Sequence, residues 1–472
     1  MDNNTHEGSF KKTIGVFGGI SIVAGIMIGS GIYFVGSFVL ERTNYSAGWS
    51  IVAWIVGGLV TIAAGLCFAE LGASMPVAGG QTVYLTEAYA PAFGFLNGFS
   101  TFILTGCGGV AALSMVAVKA YERVFRANTD FEMGDATVKI LAILIILVLM
   151  GINLLGAREM MIYQNFSMVI RIIPVLMVIF VGLSTGNQPL DLNLSTVGTS
   201  AEDGGIAGFI SLIGFATFAS LWAYDGWYNL NTVAEEMKNP KRDLPLSIII
   251  SIGGVTILYV LFNLAVFKVL PQADILSMLD VGEDFQDLYL GSEVVFRTLG
   301  HPGLIILLVC MTIGIIGTAN GSVLCDPRMY YAMAKENYFP KIFMHLDEKR
   351  GVPTYGILFE CGLAIVFVLF NSLEDLVDLL LFAISILNLL TIYAVLRLRK
   401  KYPDLERPYK VWGGRATIYV TCAAYVVLMV NEFMDAPRAG IIGIAIMAVG
   451  LLVYLYFWKK NKGQGYKGEG IE

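Results

Sequence analysis

The sequence predicts an all-α integral membrane protein of twelve transmembrane helices. Ten of them form two five-helix halves of inverted topology, whose first members, helices 1 and 6, are discontinuous. Three observations carry that prediction. Of 472 residues, 56% are apolar and 14% charged, against roughly a quarter charged in an ordinary soluble domain; the mean hydropathy of +0.70 excludes a disordered chain and argues against a water-soluble enzyme. Twelve apolar runs reach the order of 20 residues that a helix needs to cross a bilayer core. Two of these, five runs apart, carry glycine and polar groups at mid-depth instead of a steady apolar sequence.

Residues 1–13 read as a polar cytoplasmic tail ending in Lys11 and Lys12. The first run, 15–40, is much longer than the core of a cleaved leader, so this helix is expected to be retained. Further runs lie at 48–73, 92–122, 137–156, 161–184, 207–236, 245–269, 303–334, 354–371, 376–397, 414–433 and 439–458, bounded by charges, Pro or Gly. The first ten make a repeat core over 14–400, helices 11 and 12 occupy 401–459, and 460–472 is a second cytoplasmic tail. With the N-terminus inside a cell membrane, 22 of the 31 Lys and Arg fall on the inner side, among them Lys238, Arg242, Arg399 and Lys400, which places both termini in the cytoplasm.

Composition also excludes several functions. The 52 glycines follow no fixed period, which rules out collagen and suits close helix packing. The net charge of -6, with no basic block away from the span ends, leaves no nucleic-acid footprint. All six cysteines lie in or at the ends of apolar runs without a CxxC pair and read as small buried residues. The three histidines, His6, His301 and His345, fall in expected loops, so neither a metal centre nor another cofactor is expected, and the sparse polar residues argue against an enzyme.

The first break is Gly25-Ile26-Met27-Ile28-Gly29-Ser30-Gly31-Ile32 and the second Trp222-Ala223-Tyr224-Asp225-Gly226-Trp227. Lipid cannot satisfy the backbone groups that a break exposes, so protein, water or a ligand must, and interrupted helices at matching positions of two halves point to a transport site. The N–H groups of Ser30 and Gly31, at the positive end of a half-helix, suit a carboxylate. The carbonyls of Met27 and of Trp222, Ala223 and Asp225 suit an ammonium group. Together they describe a pocket for the main chain of an amino acid. Glycine at 29 and 31 keeps a Cβ from holding the ligand off the main chain; the other reading of Gly29 and Gly31 is close approach of a neighbouring helix.

Trp222 is placed as a gate over the ligand, whereas Tyr224 and Trp227 read as helix packing. An unpaired carboxylate at this depth costs several kcal/mol. Asp225 therefore either caps the half-helix or recognises a cationic group on the substrate. Arg171, eleven residues into span 5, either stands where ion-driven carriers hold a coupling cation, tying spans 1, 5 and 8 together, or pairs with Asp225. Asn320 and Ser322 are the expected polar lining from span 8. Glu70, Glu235, Glu236 and Arg328, near inner span ends, fit either a gate of ion pairs or simple solvation.

These motifs resemble the L-type amino acid transporter family of the amino acid, polyamine and organocation superfamily, over about residues 14–400. The likeness rests on Ile28-Gly29-Ser30-Gly31-Ile32, on Leu221 to Trp227 followed by Glu235-Glu236-Met237-Lys238-Asn239-Pro240, on Ala69-Glu70-Leu71-Gly72 with Pro76 and Gly79-Gly80, and on Asn320-Gly321 ahead of Arg328. The resemblance implies the five-plus-five inverted fold with two additional helices and sodium-independent exchange of amino acids by alternating access. It carries the carboxylate contact to Ser30 and Gly31, the amino-group contacts to Met27, Trp222 and Asp225, and the gate to Trp222. Two departures stand out. Arg171 replaces the Lys usual in the family and cannot lose its proton in the membrane. The loop 123–136 lacks the Cys by which animal members bind a glycoprotein, so no disulfide-linked partner is expected.

Overall fold

The computed structural model describes residues 10–29, 31–126, 133–190, 192, 194, 212–275, 290–370, 381–435 and 437–461. Most of both expected tails therefore lies outside the described residues. The first apolar run folds as two helices, α1 (Val16–Met27) and α2 (Gly31–Arg42), followed by α3 (Ala47–Ser74). A short α4 (Gln81–Ala88) precedes α5 (Pro91–Ser100), which continues through π-helical turns at Thr101–Gly108 into α6 (Gly109–Arg126). Then come α7 (Asp135–Leu155), α8 (Ala157–Thr185), α9 (212–223), a 3-10 segment at Trp227–Glu236 and α10 (Pro240–Val269). The chain ends with α11 (Leu290–Cys325), α12 (Pro327–Lys335), α13 (Thr354–Phe370), α14 (Leu381–Lys401), α15 (Gly414–Asp435) and α16 (Pro437–Lys460).

All twelve apolar runs carry helix in their described parts, and the described residues contain no strand, only isolated bridges. Eight helical stretches among the described residues are long and apolar enough to cross a membrane, including Ala47–Ser74, Ala157–Thr185 and Leu290–Lys335, which takes in α11 and α12. Their apolar character extends to the outer surface: Ile140 is 65%, Phe180 70% and Val420 69% exposed. Helices that are apolar on both core and outer faces are at home in lipid, not water.

Punctuation residues set the ends. Pro91, Pro240 and Pro327 open α5, α10 and α12, where a missing N–H costs nothing. Ser46 caps α3 by accepting from the Trp49 N–H at 3.4 Å. The run expected at 303–334 differs in detail. It begins at Leu290, kinks at Gly300 (φ 65°), and turns at Asp326 before Pro327. Glu293, Arg297 and His301 disguise its first turns as loop, so His301 stands on the helix just after the kink rather than in a loop.

Inside, α8 and α6 pack on α11 and α10 packs on α3. Trp54, Tyr84, Tyr224, Tyr259, Tyr330 and Phe262 are fully buried. At the end of the bundle that carries residue 14, the chain is stitched shut. The Ile14 N–H donates to the Glu236 carbonyl (3.0 Å), and the Lys238 N–H donates to the Ile14 carbonyl (2.8 Å). Glu236 pairs with Arg328 at 2.7 Å, both side chains fully buried. Glu235 accepts from the Ala78 N–H at 3.1 Å, while Glu70 takes both the Arg399 guanidinium (2.7 and 2.6 Å) and the Val411 N–H (2.8 Å). Contacts within the protein account for all four residues, Glu70, Glu236 and Arg328 being buried and Glu235 half-buried.

Candidate functional site

Both breaks are present and adjoin. The helical bonding of α1 ends as the Ile28 N–H donates to the Ala24 carbonyl, and Ile28 leaves helical geometry at ψ 71°. At the second break α9 gives way to a turn at residues 224–226, where Gly226 has φ +94°. A Cβ on Gly31 would stand 3.0 Å from the Ala223 Cα and 3.5 Å from Trp222 Cδ1, and one on Gly226 would overlap Ile26 Cγ2. Gly226 thus combines a left-handed backbone with a close approach, both of which need glycine. A Cβ on Gly29 would meet Thr318 Oγ1 at 3.1 Å. The first N–H groups of α2 lack partners within their own helix and stand beside the second break. Ser30 lies outside the described residues.

The carbonyls are not free as the sequence suggests. Tyr259 of α10, wholly buried, points its hydroxyl between the two breaks, 2.7 Å from the Met27 carbonyl and 3.0 Å from that of Ala223. Met27 also accepts from the Gly29 N–H at 2.9 Å, and the Trp222 carbonyl accepts from the Asp225 N–H at 3.2 Å. A protein hydroxyl, with one proton to give, therefore stands at two of the acceptors expected to take a ligand ammonium group. Nothing in the sequence singles out Tyr259, because a tyrosine in an apolar run looks like ordinary packing. Tyr224 and Trp227 do pack: Tyr224 against Trp54 and Tyr259, and Trp227 edge-on to Phe68 at 4.7 Å.

Beside the breaks is a cavity of about 170 Å³. Of the expected residues, Met27, Gly29, Gly31, Trp222, Asp225 and Ser322 line it, whereas Ala223 is buried behind. Sequence reasoning missed Thr101 and Thr105 in the π-helical turns, Tyr228, Asn229, Thr318 and Asp326. The two threonines, four apart just before a Gly-rich stretch, are the one signal that could have found the first pair. The Asp225 carboxylate accepts from the Gly226 N–H and the Tyr228 hydroxyl, which ties it to the start of the 3-10 segment while it borders the cavity.

Arg171 does not pair with Asp225. Its Nε and Nη2 donate to the Ser167 carbonyl (3.2 Å) and hydroxyl (3.0 Å), and Nη1 donates to Thr318 Oγ1 at 3.2 Å. Thr318 in turn reaches the Gly25 carbonyl at 3.4 Å, so the guanidinium links α8 and α11 to the end of α1. Asn320 faces away from the cavity. It accepts from Asn153 and donates to Gln164, both at 2.8 Å, and Gln164 donates to the Ser21 carbonyl. No group of three potential metal ligands occurs among the described residues.

The family described as amino acid permease matches residues 14–458. The serine/threonine exchanger SteT of Bacillus subtilis is 30% identical over 462 residues, covering 97% of this chain and 99% of that protein. The b(0,+)-type amino acid transporter 1 of Mus musculus is 31% identical over 407 residues, 85% of this chain and 79% of its own length. The human cystine/glutamate transporter is 26% identical over 455 residues, 96% and 86% of the two chains.

Proposed function

This chain belongs to the amino acid permease family and transports amino acids across a membrane; we propose that it works as an exchanger, by alternating access around the two broken helices. The observation that carries this reading is the meeting of both breaks at one cavity. There the first N–H groups of α2, at Gly31 with Ser30 before it, hold the substrate carboxylate. The ammonium group takes the acceptor side, at Met27, Trp222 and Asp225, with the Ala223 carbonyl behind them. Because the Tyr259 hydroxyl already serves Met27 and Ala223, the substrate either displaces it or adds a third partner. Trp222, at the cavity wall beside Gly31, closes over the ligand. Arg171 and Asn320 act on conformation: each ties neighbouring helices together away from the ligand. Ser322, on the cavity wall from α11, completes the polar lining.

The same reading includes twelve spans, two inverted halves of five, a cell-membrane location and cytoplasmic termini, consistent with the basic side of the chain. The end sealed by Glu236 and Arg328 is then the inner one. The carrier needs no disulfide-linked glycoprotein, since residues 123–136 lack the Cys by which animal members bind one.

Exchange follows from the backbone. An empty site leaves the first N–H groups of α2 without a ligand carboxylate at a cost of about 1–3 kcal/mol each, so the unloaded carrier reorients slowly and the loaded one quickly. Tracer efflux from proteoliposomes tests this: we expect it to accelerate many-fold when amino acid is added outside. Equal efflux with and without external substrate would refute exchange and favour uniport or proton-driven symport.

A further inference from the structure

Among the described residues, one buried carboxylate has neither side-chain oxygen in a well-formed hydrogen bond, with the Tyr330 hydroxyl its nearest polar neighbour. Glu360, seven residues into α13, is 0% exposed, and both its side-chain oxygens lack a hydrogen-bond partner. Tyr330 of α12 leans toward it without closing a bond of good geometry, and its own hydroxyl is likewise unpartnered. Asp326, 3% exposed at the turn between α11 and α12, lies within electrostatic range of Glu360 on one side and of Asp225 on the other, and it lines the substrate cavity. The π-helical turns close the space from a third direction: a Cβ on Gly106 would stand 3.3 Å from Asp326 Oδ2. The other titratable or charged groups facing the pair are Cys107 from those turns, Cys325 at the end of α11, Cys361 on α13, Tyr228 beside Asp225, and Arg328, which is committed to Glu236.

A carboxyl group so enclosed is stable in its neutral, protonated form. We propose that Asp326 and Glu360 form a proton-binding pair opening onto the cavity, and that a proton there and a cationic substrate side chain are alternative occupants. Among the described residues, the cavity wall holds two carboxylates, Asp225 and Asp326, and no Lys, Arg or His. A neutral zwitterion leaves this acidic set to be compensated by the bound proton. A substrate carrying a side-chain ammonium group supplies that charge itself, and the proton departs through Asp326 to the aqueous phase on the open side. The loaded carrier then has the same net charge in both cases: neutral amino acid plus one proton in one direction, one cationic amino acid in the other.

The inference rests on amino acid transport, so the test has one arm that does not. In detergent, the infrared carbonyl band of a protonated carboxylic acid should be present at neutral pH and diminish in Glu360→Gln; its absence from the wild type overturns the proposal. In proteoliposomes carrying a luminal pH dye, exchange of luminal lysine for external serine should acidify the lumen, whereas serine–serine exchange should not. Glu360→Gln should keep serine–serine exchange within about twofold and abolish the acidification. Lysine–serine exchange without a pH change, acidification unaltered in Glu360→Gln, or failure of lysine to exchange while serine does, each overturns it. Loss of all amino acid flux with the infrared band intact would defeat the transport reading and leave the proton site standing.

Discussion

Tyr259 shows what one hydroxyl does where two helices are interrupted in a membrane. It supplies a donor to carbonyls that lipid cannot serve, so Tyr259→Phe should lower stability by about 1–3 kcal/mol. The melting point of the purified protein should fall accordingly, and an unchanged value would show that water replaces the hydroxyl. Gly31 acts through what it lacks. A side chain there would press on the Ala223 backbone at 3.0 Å and wedge the breaks apart, so we expect Gly31→Val to abolish uptake while leaving membrane expression intact; normal uptake would refute the close-approach role. Asp225 joins two functions, bonded to the start of the 3-10 segment yet facing the cavity. Loss of cationic substrates alone in Asp225→Asn would identify recognition, and general collapse of activity would identify the cap. Gly31, Trp222 and Asp225 are legible in the sequence because each violates the apolar pattern around it. Tyr259, Thr318 and Asp326 are not, since a tyrosine, a threonine or an acid near a span end is ordinary there, and only the fold brings them to one wall.

At the level of elements, hydropathy locates nearly every long helix, because about 20 apolar residues in lipid have few alternatives to helix. It does not see α4, which is short and buried among its neighbours, or the π-helical turns at Thr101–Gly108, whose local sequence is as apolar as the α-helix on either side. Such turns are frequent at functional sites, and here Thr101 and Thr105 face the cavity. The link among α8, α11 and α1 is similarly invisible until the helices are placed. Arg171 makes it with a planar fork that donates to Ser167 and Thr318 together, a geometry that the single ammonium of lysine does not reproduce. We therefore expect Arg171→Lys to bind substrate with little change but to exchange it severalfold more slowly, the link to Gly25 being weakened. Binding from thermal shift and turnover from tracer exchange separate the two, and a variant with wild-type turnover would show that the fork is not required.

For the whole molecule, the decisive asymmetry is between a cavity at the breaks and a sealed end near residue 14. That seal was only half legible: the charges were visible near span ends, but Glu236 and Arg328 are 92 residues apart in the chain, and no local pattern says that they meet. Their pair is buried, and removing one partner leaves an uncompensated charge at a cost of about 3–5 kcal/mol. The closed arrangement bears that cost, whereas an opened end lets water reach Arg328. Glu236→Gln should therefore shift the resting population toward opening at this end, and Ile14, 1% exposed and bonded to the Glu236 carbonyl, reports it. Because all six native cysteines are buried or half-buried, Ile14→Cys offers a distinct target for a thiol reagent. We expect its labelling to be slow in the otherwise native chain and at least about tenfold faster with Glu236→Gln, a factor that needs only about 1.4 kcal/mol of shift. Equal labelling would mean that the ion pair is incidental and that the backbone stitches from Ile14 to residues 236 and 238 hold the end closed by themselves.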